Sequence, residues 1–197
     1  MMDVAILCGG KGTRLNLPDL PKPMADINGK PFLEILIDYI ASFGFSRFVL
    51  CAGFRADKIR WHFRNNRNVI VSVESVPLGT AGGFKHAQPF FHSKTILVFN
   101  GDSICPIDLK EFIKAHEASG SLVTMAVKKM DYKLHINAGI YAVERSVLGS
   151  IPSNKPTSFE KDIFPSLVGL GLQSYKTTAK LHDIGTPESL DEFRKSI

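Results

Sequence analysis

The sequence predicts an α/β sandwich around a mostly parallel sheet, and three observations predict it. Short apolar or β-branched runs at 4–8, 48–52, 69–73, 95–99, 122–127 and 138–143 alternate with segments of helical spacing. The first run, Val4-Ala5-Ile6-Leu7-Cys8, is apolar without alternation, the pattern of a strand covered on both faces. Glycine-rich and polar motifs follow the runs, where a sheet of this kind carries its ligand-binding loops.

In order, the Val4–Cys8 strand ends in Gly9-Gly10, and a loop rich in glycine, proline and basic residues runs to Pro31. Apolar residues at 32, 33, 35, 36, 39, 40 and 43 predict a helix stopped by Gly44. Phe48–Ala52 is the next strand, and Asp57 is expected to cap a short helix holding Ile59 and Phe63. The strand Val69–Val73 precedes Pro77 and a helix from about Thr80. Thr95–Phe99 runs into Asn100-Gly101-Asp102, and Asp108 with Glu111 opens another helix as a capping box. Strands Leu122–Val127 and Ala138–Val143 follow, then a helix over Phe159–Leu170. Thr186-Pro187-Glu188 is a further helix start, with an N-cap threonine, proline at the first helical position and an acid in the first turn.

The 197 residues fit one domain spanning 1–197, 44% hydrophobic and 22% charged, which excludes a disordered chain. The net charge of +5 suits a phosphorylated small molecule, and Lys11, Arg14, Lys22 and Lys30 crowd the first 30 residues. Cys8, Cys51 and Cys105 are widely spaced and odd in number, so neither a disulfide framework nor a zinc knuckle is expected. The six histidines show no ligand spacing. Arg60, Arg64 and Arg67 around Trp61 and Phe63 are read as the solvated face of an amphipathic helix, and no nucleic-acid partner is expected. The opening apolar run is too short for a signal segment and no run reaches the length of a membrane span, so the chain is read as cytoplasmic, with no membrane partner. No hexapeptide repeats follow at the C-terminus, so no appended β-helix is expected. The oligomeric state is not encoded in any motif.

The glycine loop carries the chemistry. In Gly9-Gly10-Lys11-Gly12-Thr13-Arg14-Leu15 the glycines let backbone amides approach phosphate oxygens and Arg14 adds charge. Gly10-x-Gly12 lacks the third glycine of the dinucleotide fingerprint, and no Gly-x-x-x-x-Gly-Lys-Ser/Thr loop is present. Prolines on both sides stiffen the backbone at Lys22 in Pro21-Lys22-Pro23-Met24.

These two motifs resemble the signature of the sugar-1-phosphate nucleotidylyltransferases. Further matches follow in order: Pro77-Leu78-Gly79-Thr80-Ala81-Gly82-Gly83, Asn100-Gly101-Asp102, Asn137-Ala138-Gly139-Ile140-Tyr141, Ser158-Phe159-Glu160-Lys161-Asp162 and Asp183-Ile184-Gly185-Thr186-Pro187-Glu188. They cover residues 4 to 190. The resemblance implies a three-layer α/β sandwich with a Rossmann-like mixed sheet, and an in-line attack of a sugar phosphate oxygen on the α-phosphorus of a nucleoside triphosphate. Such a reaction needs no enzyme nucleophile; it rests on positioning and on neutralising two polyanions.

By the same resemblance, Mg2+ is the cofactor, with Asp102 as its first carboxylate and Asp183 as its second. Arg14, Lys22 and Asp102 form the catalytic set. The nucleotide falls to Leu7, Gly9, Gly10, Gly12, Thr13 and Arg14, with Glu74, Gly79 and Thr80 on the base side. Asn137, Gly139, Glu160 and Lys161 face the sugar phosphate. A glycosyltransferase with a similar core would need an Asp-x-Asp motif where this chain has Asn100-Gly101-Asp102-Ser103. A catalytically idle binding module would not need Arg14, Lys22, Asp102 and Asp183 together.

Relatives usually carry a hairpin with a Glu-Lys-Pro-like element after the strand matching Leu122–Val127. Here Lys128-Lys129-Met130-Asp131-Tyr132-Lys133 leads almost directly to Asn137, so that hairpin is expected to be missing. Glu74 stands where relatives place a base-reading side chain. A carboxylate accepts the paired N1–H and N2–H donors of guanine but meets the flanking carbonyls of uracil or thymine with repulsion. The expectation is therefore GTP. The Pro31-Phe32-Leu33-Glu34 helix start and the 158–162 segment resemble compact D-glycero-D-manno-heptose 1-phosphate guanylyltransferases. Mannose 1-phosphate is the alternative sugar, and an N-acetylmuramate 1-phosphate uridylyltransferase a more distant one that Glu74 disfavours.

Overall fold

A computed structural model describes residues 2–15, 17, 19–130 and 134–197, the Thr13 side chain excepted. The strand β1 (Asp3–Cys8) leads through the glycine loop to a small antiparallel ribbon, β2 (Asp26–Ile27) and β3 (Lys30–Pro31), and into α1 (Phe32–Ala41). Then come β4 (Phe48–Ala52), α2 (Ala56–Phe63), β5 (Val69–Val73), α3 (Gly79–His86) and β6 (Thr95–Asn100). The second half holds β7 (Ser103–Ile104), α4 (Leu109–Ser119), β8 (Val123–Lys129), β9 (His135–Glu144), α5 (Phe164–Leu167), β10 (Leu172–Thr177), β11 (His182–Asp183) and α6 (Pro187–Ser196).

Seven strands form one sheet in the order β10-β8-β9-β6-β1-β4-β5. Among them only β9 runs antiparallel to its neighbours, β6 and β8. The apolar run of β1 is explained by its place: it pairs in parallel with both β4 and β6 and is covered on both faces. One face packs Val4, Ile6, Leu50 and Phe99 against α1, α2, α4 and α6 through Phe32, Ile59, Phe112 and Phe193. The other packs Ala5, Val49, Val98 and Tyr141 against Phe84 of α3 and Phe159 and Phe164 near α5. Three layers result, as the sequence predicts. No helix among the described residues is long and apolar enough to cross a membrane.

Three local expectations are corrected. Asp57 is not the cap of α2: the chain turns at Arg55, which takes a left-handed φ of 50°, and α2 starts at Ala56 with Asp57 inside its first turn. The 159–170 segment is not one helix. A wide turn over Phe159–Ile163 precedes the four-residue α5; Pro165 removes an amide donor from the helical ladder, and Val168 is already extended. The strand β10, with its weak apolar alternation, and the two-residue pair β7 and β11 were not expected from the pattern. The Asp108 cap is present, its Oδ1 accepting from Lys110 N at 2.8 Å and Glu111 N at 3.1 Å. Thr186 also caps as expected, though Ser189 completes its capping box.

Candidate active site

Chain order reverses between β1 and β6, since β4 and β5 lie on one side of β1 and β6 on the other. Their carboxyl ends therefore open a crevice. The loops after both strands border a cleft of ≈ 840 Å³. Leu7, Gly9, Gly10, Gly12 and Arg14 line it from the first loop. Lys22, Glu74, Gly79, Thr80 and Asp102 complete the expected set within it. The Thr13 side chain lies outside the described residues.

At the phosphate end, Pro21 and Pro23 hold Lys22 in a single tight turn, with Met24 N donating to Pro21 O at 2.8 Å. Lys22 is only 7% exposed, and its Nζ donates to Asp102 Oδ2 at 2.7 Å. Gly12 packs on the stem of that lysine. Its φ is +58°, and a β-carbon there would stand 2.6 Å from Lys22 Cβ. The glycine loop and the lysine are thus fitted to each other.

Asp102 and Asp183 come from distant parts of the chain and are brought together by backbone pairing. Ser103 in β7 stands opposite Asp183 in β11, and Ile184 N donates to Asp102 O at 3.0 Å. Among the described residues no group of three His, Cys, Asp or Glu is arranged to hold a metal. Two hard carboxylates beside a glycine loop nevertheless fit a divalent cation that would take its other ligands from phosphate and water. Asp102 and Asp183 are the residues that would hold it.

At the other end, Glu74 follows β5, with its amide donating to Ala52 O at 2.9 Å. Its carboxylate lies against a floor of bare backbone: a β-carbon on Gly53 would meet Oε1 at 2.6 Å, and one on Gly9 at 3.0 Å. Burial raises the pKa of Glu74, against the opposing influence of the Leu78 amide and His86. Burial also pushes the neighbouring Cys51 thiol up to about 12, with Glu74 adding to the effect. Cys8, Cys51 and Cys105 are buried and unpaired in disulfides, acting as small hydrophobes.

The residues expected to face the sugar lie behind the part of the wall made by Thr80 and Asn100. Glu160 Oε2 accepts from Thr80 Oγ1 at 3.1 Å and from Ser158 Oγ at 2.8 Å. Asn137 Nδ2 donates to Tyr141 OH at 2.7 Å, while its Oδ1 accepts from Gly139 N at 2.9 Å. Thr80 Oγ1 also accepts from Phe159 N at 2.8 Å, so this hydroxyl is engaged with the 158–162 segment. Lys161 is exposed and does not line the cleft; its amide donates to Ser158 Oγ at 3.3 Å. Met130 N donates to Leu134 O at 3.0 Å, closing a short connection from β8 to β9; the expectation for Asp131, Tyr132 and Lys133 lies outside the described residues.

Sequence reasoning missed Gly53, Ser158, Asn100 and Tyr141. Asn100 and Tyr141 stand in motifs that were recognised, at positions given no role. Asn100 Oδ1 is buried in the wall of the cleft with no hydrogen-bond partner among the described residues, a signal available only from the fold.

With this geometry, the chain belongs to the nucleotidyl transferase family, whose pattern it matches over residues 4–135. It is 30% identical to the D-glycero-alpha-D-manno-heptose 1-phosphate guanylyltransferase of Campylobacter jejuni, over 98% of both chains. It is also 30% identical to the mannose-1-phosphate guanylyltransferase of Mycobacterium tuberculosis over 95% of its own length, but it spans only 62% of that relative. Its backbone superimposes on a crystal structure of HddC from Yersinia pseudotuberculosis complexed with GMP-PN with a TM-score of 0.86 and 31% identity, covering 100% of this chain and 99% of that one.

Proposed function

We propose that the chain is a sugar-1-phosphate guanylyltransferase that uses GTP and D-glycero-α-D-manno-heptose 1-phosphate. The observation that carries the reading is the spacing of functions along one cleft, with the Lys22–Asp102 pair at one end and the Glu74 carboxylate at the other. A sugar phosphate oxygen attacks the α-phosphorus, a new P–O bond forms, the α–β anhydride bond breaks, and pyrophosphate leaves with the electron pair. Lys22 and Arg14 hold phosphate oxygens in line, and the backbone amides of the glycine loop stabilise charge that spreads over them. Mg2+, held by Asp102 and Asp183, supplies charge neutralisation of the phosphates when bound. Ionised Glu74 accepts the two adjacent N–H groups of guanine, and Asn137, Gly139 and Glu160 present hydrogen-bonding groups to the sugar.

The heptose assignment draws support from the near-complete mutual coverage with the Campylobacter relative. That alignment runs over 222 positions against a chain of 197, so the relative has residues without a counterpart here. The short Met130–Leu134 connection is where we place part of the difference. The same reading puts the enzyme in the cytoplasm, in keeping with three buried free thiols. Mannose 1-phosphate is the second reading, favoured by the match to the mycobacterial relative.

The test is pyrophosphate release measured with four nucleoside triphosphates against a panel of sugar 1-phosphates. The reading requires the highest kcat/KM for GTP with the heptose phosphate. A clear preference for mannose 1-phosphate would replace the sugar, and equal use of UTP would remove Glu74 from base selection.

A further inference from the structure

We infer that Tyr141, a buried residue that touches no substrate, is a positioning residue that holds Glu160 and Asn137 in place for the sugar; this rests on the proposed sugar role of those two residues. Tyr141 is fully buried in the middle of the sheet, its ring packed on Phe159 and Phe164. Only its hydroxyl reaches the back of the sugar wall.

The hydrogen-bond bookkeeping gives that hydroxyl one available orientation. Asn137 Nδ2 donates to it at 2.7 Å. Because Asn137 Oδ1 is already taken by Gly139 N, the amide cannot turn round to accept. With Asn137 fixed as a donor, the phenolic O–H is left to donate to Glu160 Oε1 at 3.5 Å, a long contact. Burial, and then the adjacent Glu160 charge, push the phenol pKa up, so the proton stays on Tyr141. One hydroxyl thus joins the start of β9 to the 158–162 turn. Thr80 does the same from the opposite side, donating to Glu160 Oε2 while accepting from Phe159 N. Without these donors the exposed Glu160 side chain, left with the Ser158 hydroxyl alone, would sample rotamers away from the sugar.

The experiment is a steady-state series with Tyr141→Phe, Thr80→Val, Thr80→Ser and Glu160→Ala, each checked for wild-type melting behaviour. Tyr141→Phe keeps the packed ring and removes only the hydroxyl. The expected result is a KM for the sugar 1-phosphate raised on the order of tenfold, with the nucleotide KM within about twofold of wild type. Thr80→Val should also raise the sugar KM and Thr80→Ser should restore it, a check on the second donor to Glu160; where Tyr141→Phe melts early, the same KM comparison is made well below its melting temperature. In the Glu160→Ala background, Tyr141→Phe should add little, because the group it positions is gone. Equal loss toward both substrates, or full additivity of the two substitutions, overturns the positioning role of Tyr141. An unchanged sugar KM in Glu160→Ala alone instead removes Glu160 from the sugar site, and the inference falls with that part of the proposed function.

Discussion

Lys22 Nζ stands 2.7 Å from Asp102 Oδ2, so the lysine proposed to bind phosphate is already paired with the carboxylate proposed to bind the metal. Lys22 is nearly buried, whereas the Asp102 side chain is 35% exposed. On the proposed reading, phosphate and cation would exchange partners within a fixed frame instead of charging an empty pocket. Removing either member should leave the other uncompensated. Asp102→Asn is expected to fold and to lower kcat roughly 10²–10³-fold, with turnover abolished by chelator in the wild type. Lys22→Met should raise the KM for both phosphorylated substrates. Full activity of Asp102→Asn would end the metal role.

Glu74 gives a prediction on pH and on base choice. Its pKa is raised by burial, so the carboxylate protonates at a higher pH than an ordinary glutamate. The protonated form presents an O–H to guanine donors and loses the paired acceptance. kcat/KM for GTP should thus fall on the acid side through a pKa above the usual carboxylate value of 4.5, and Glu74→Gln should lack that limb. The same variant should narrow the GTP-over-UTP preference by about 1–3 kcal/mol, or roughly 10–100-fold. The sign for stability runs the other way. A raised carboxylate pKa means that folding favours the neutral form below 4.5 and loses that advantage as pH rises, so Glu74→Gln should be no less stable at pH 7.

Gly12→Ala tests the fit between loop and lysine. The substitution puts an L side chain at a φ of +58° and a β-carbon 2.6 Å from Lys22 Cβ. Backbone strain of about 1–2 kcal/mol is expected, together with a displaced Lys22. Nucleotide affinity, measured by calorimetry, should weaken at least tenfold while the melting temperature falls only a few degrees.

Asp3 sits at the opposite end of the sheet and bears on stability alone. Burial would raise its pKa, but amide donors from Ser93 and His92, the Ser93 hydroxyl and Arg47 together lower it. Such a carboxylate stabilises the fold above its unfolded pKa near 3.8, and that stabilisation is lost as pH falls through the lower folded value. Asp3→Asn should cost about 1–3 kcal/mol at pH 7 and flatten the acid limb of a melting-temperature profile, with kcat unchanged.

How much of this was legible beforehand depended on whether a signal was local. Val4–Cys8, Phe48–Ala52 and Thr95–Phe99 announce themselves because strands buried on both faces need continuous apolar runs. Thr186-Pro187 announces its helix through capping chemistry. The Lys22 turn was readable from its two prolines. By contrast, Leu172–Thr177 lies at a sheet edge with few buried side chains, so no periodicity marks it. Asp183 meets Asp102 through a pairing of two residues on each side, far below what any pattern can register. Tyr141 was quoted in a motif yet given no role, because its partners Asn100 and Glu160 are 41 and 19 positions away in the chain, and only the fold joins them.

The reversed direction of β9 has a consequence for how substrate choice can change. In a parallel strand the residues nearest the crevice are the last ones; in β9 they are the first, Asn137 and Gly139. Lys129 and His135, the facing ends of β8 and β9, therefore lie at this end of the sheet and not at the far side. The glycine loop, Lys22 and Glu74 all belong to the first half of the chain and cluster around β1, β4 and β5, none of which pairs with β8 or β9. On the proposed reading, a change of length between β8 and β9 is a change at the sugar end, separate from the strands that carry the triphosphate.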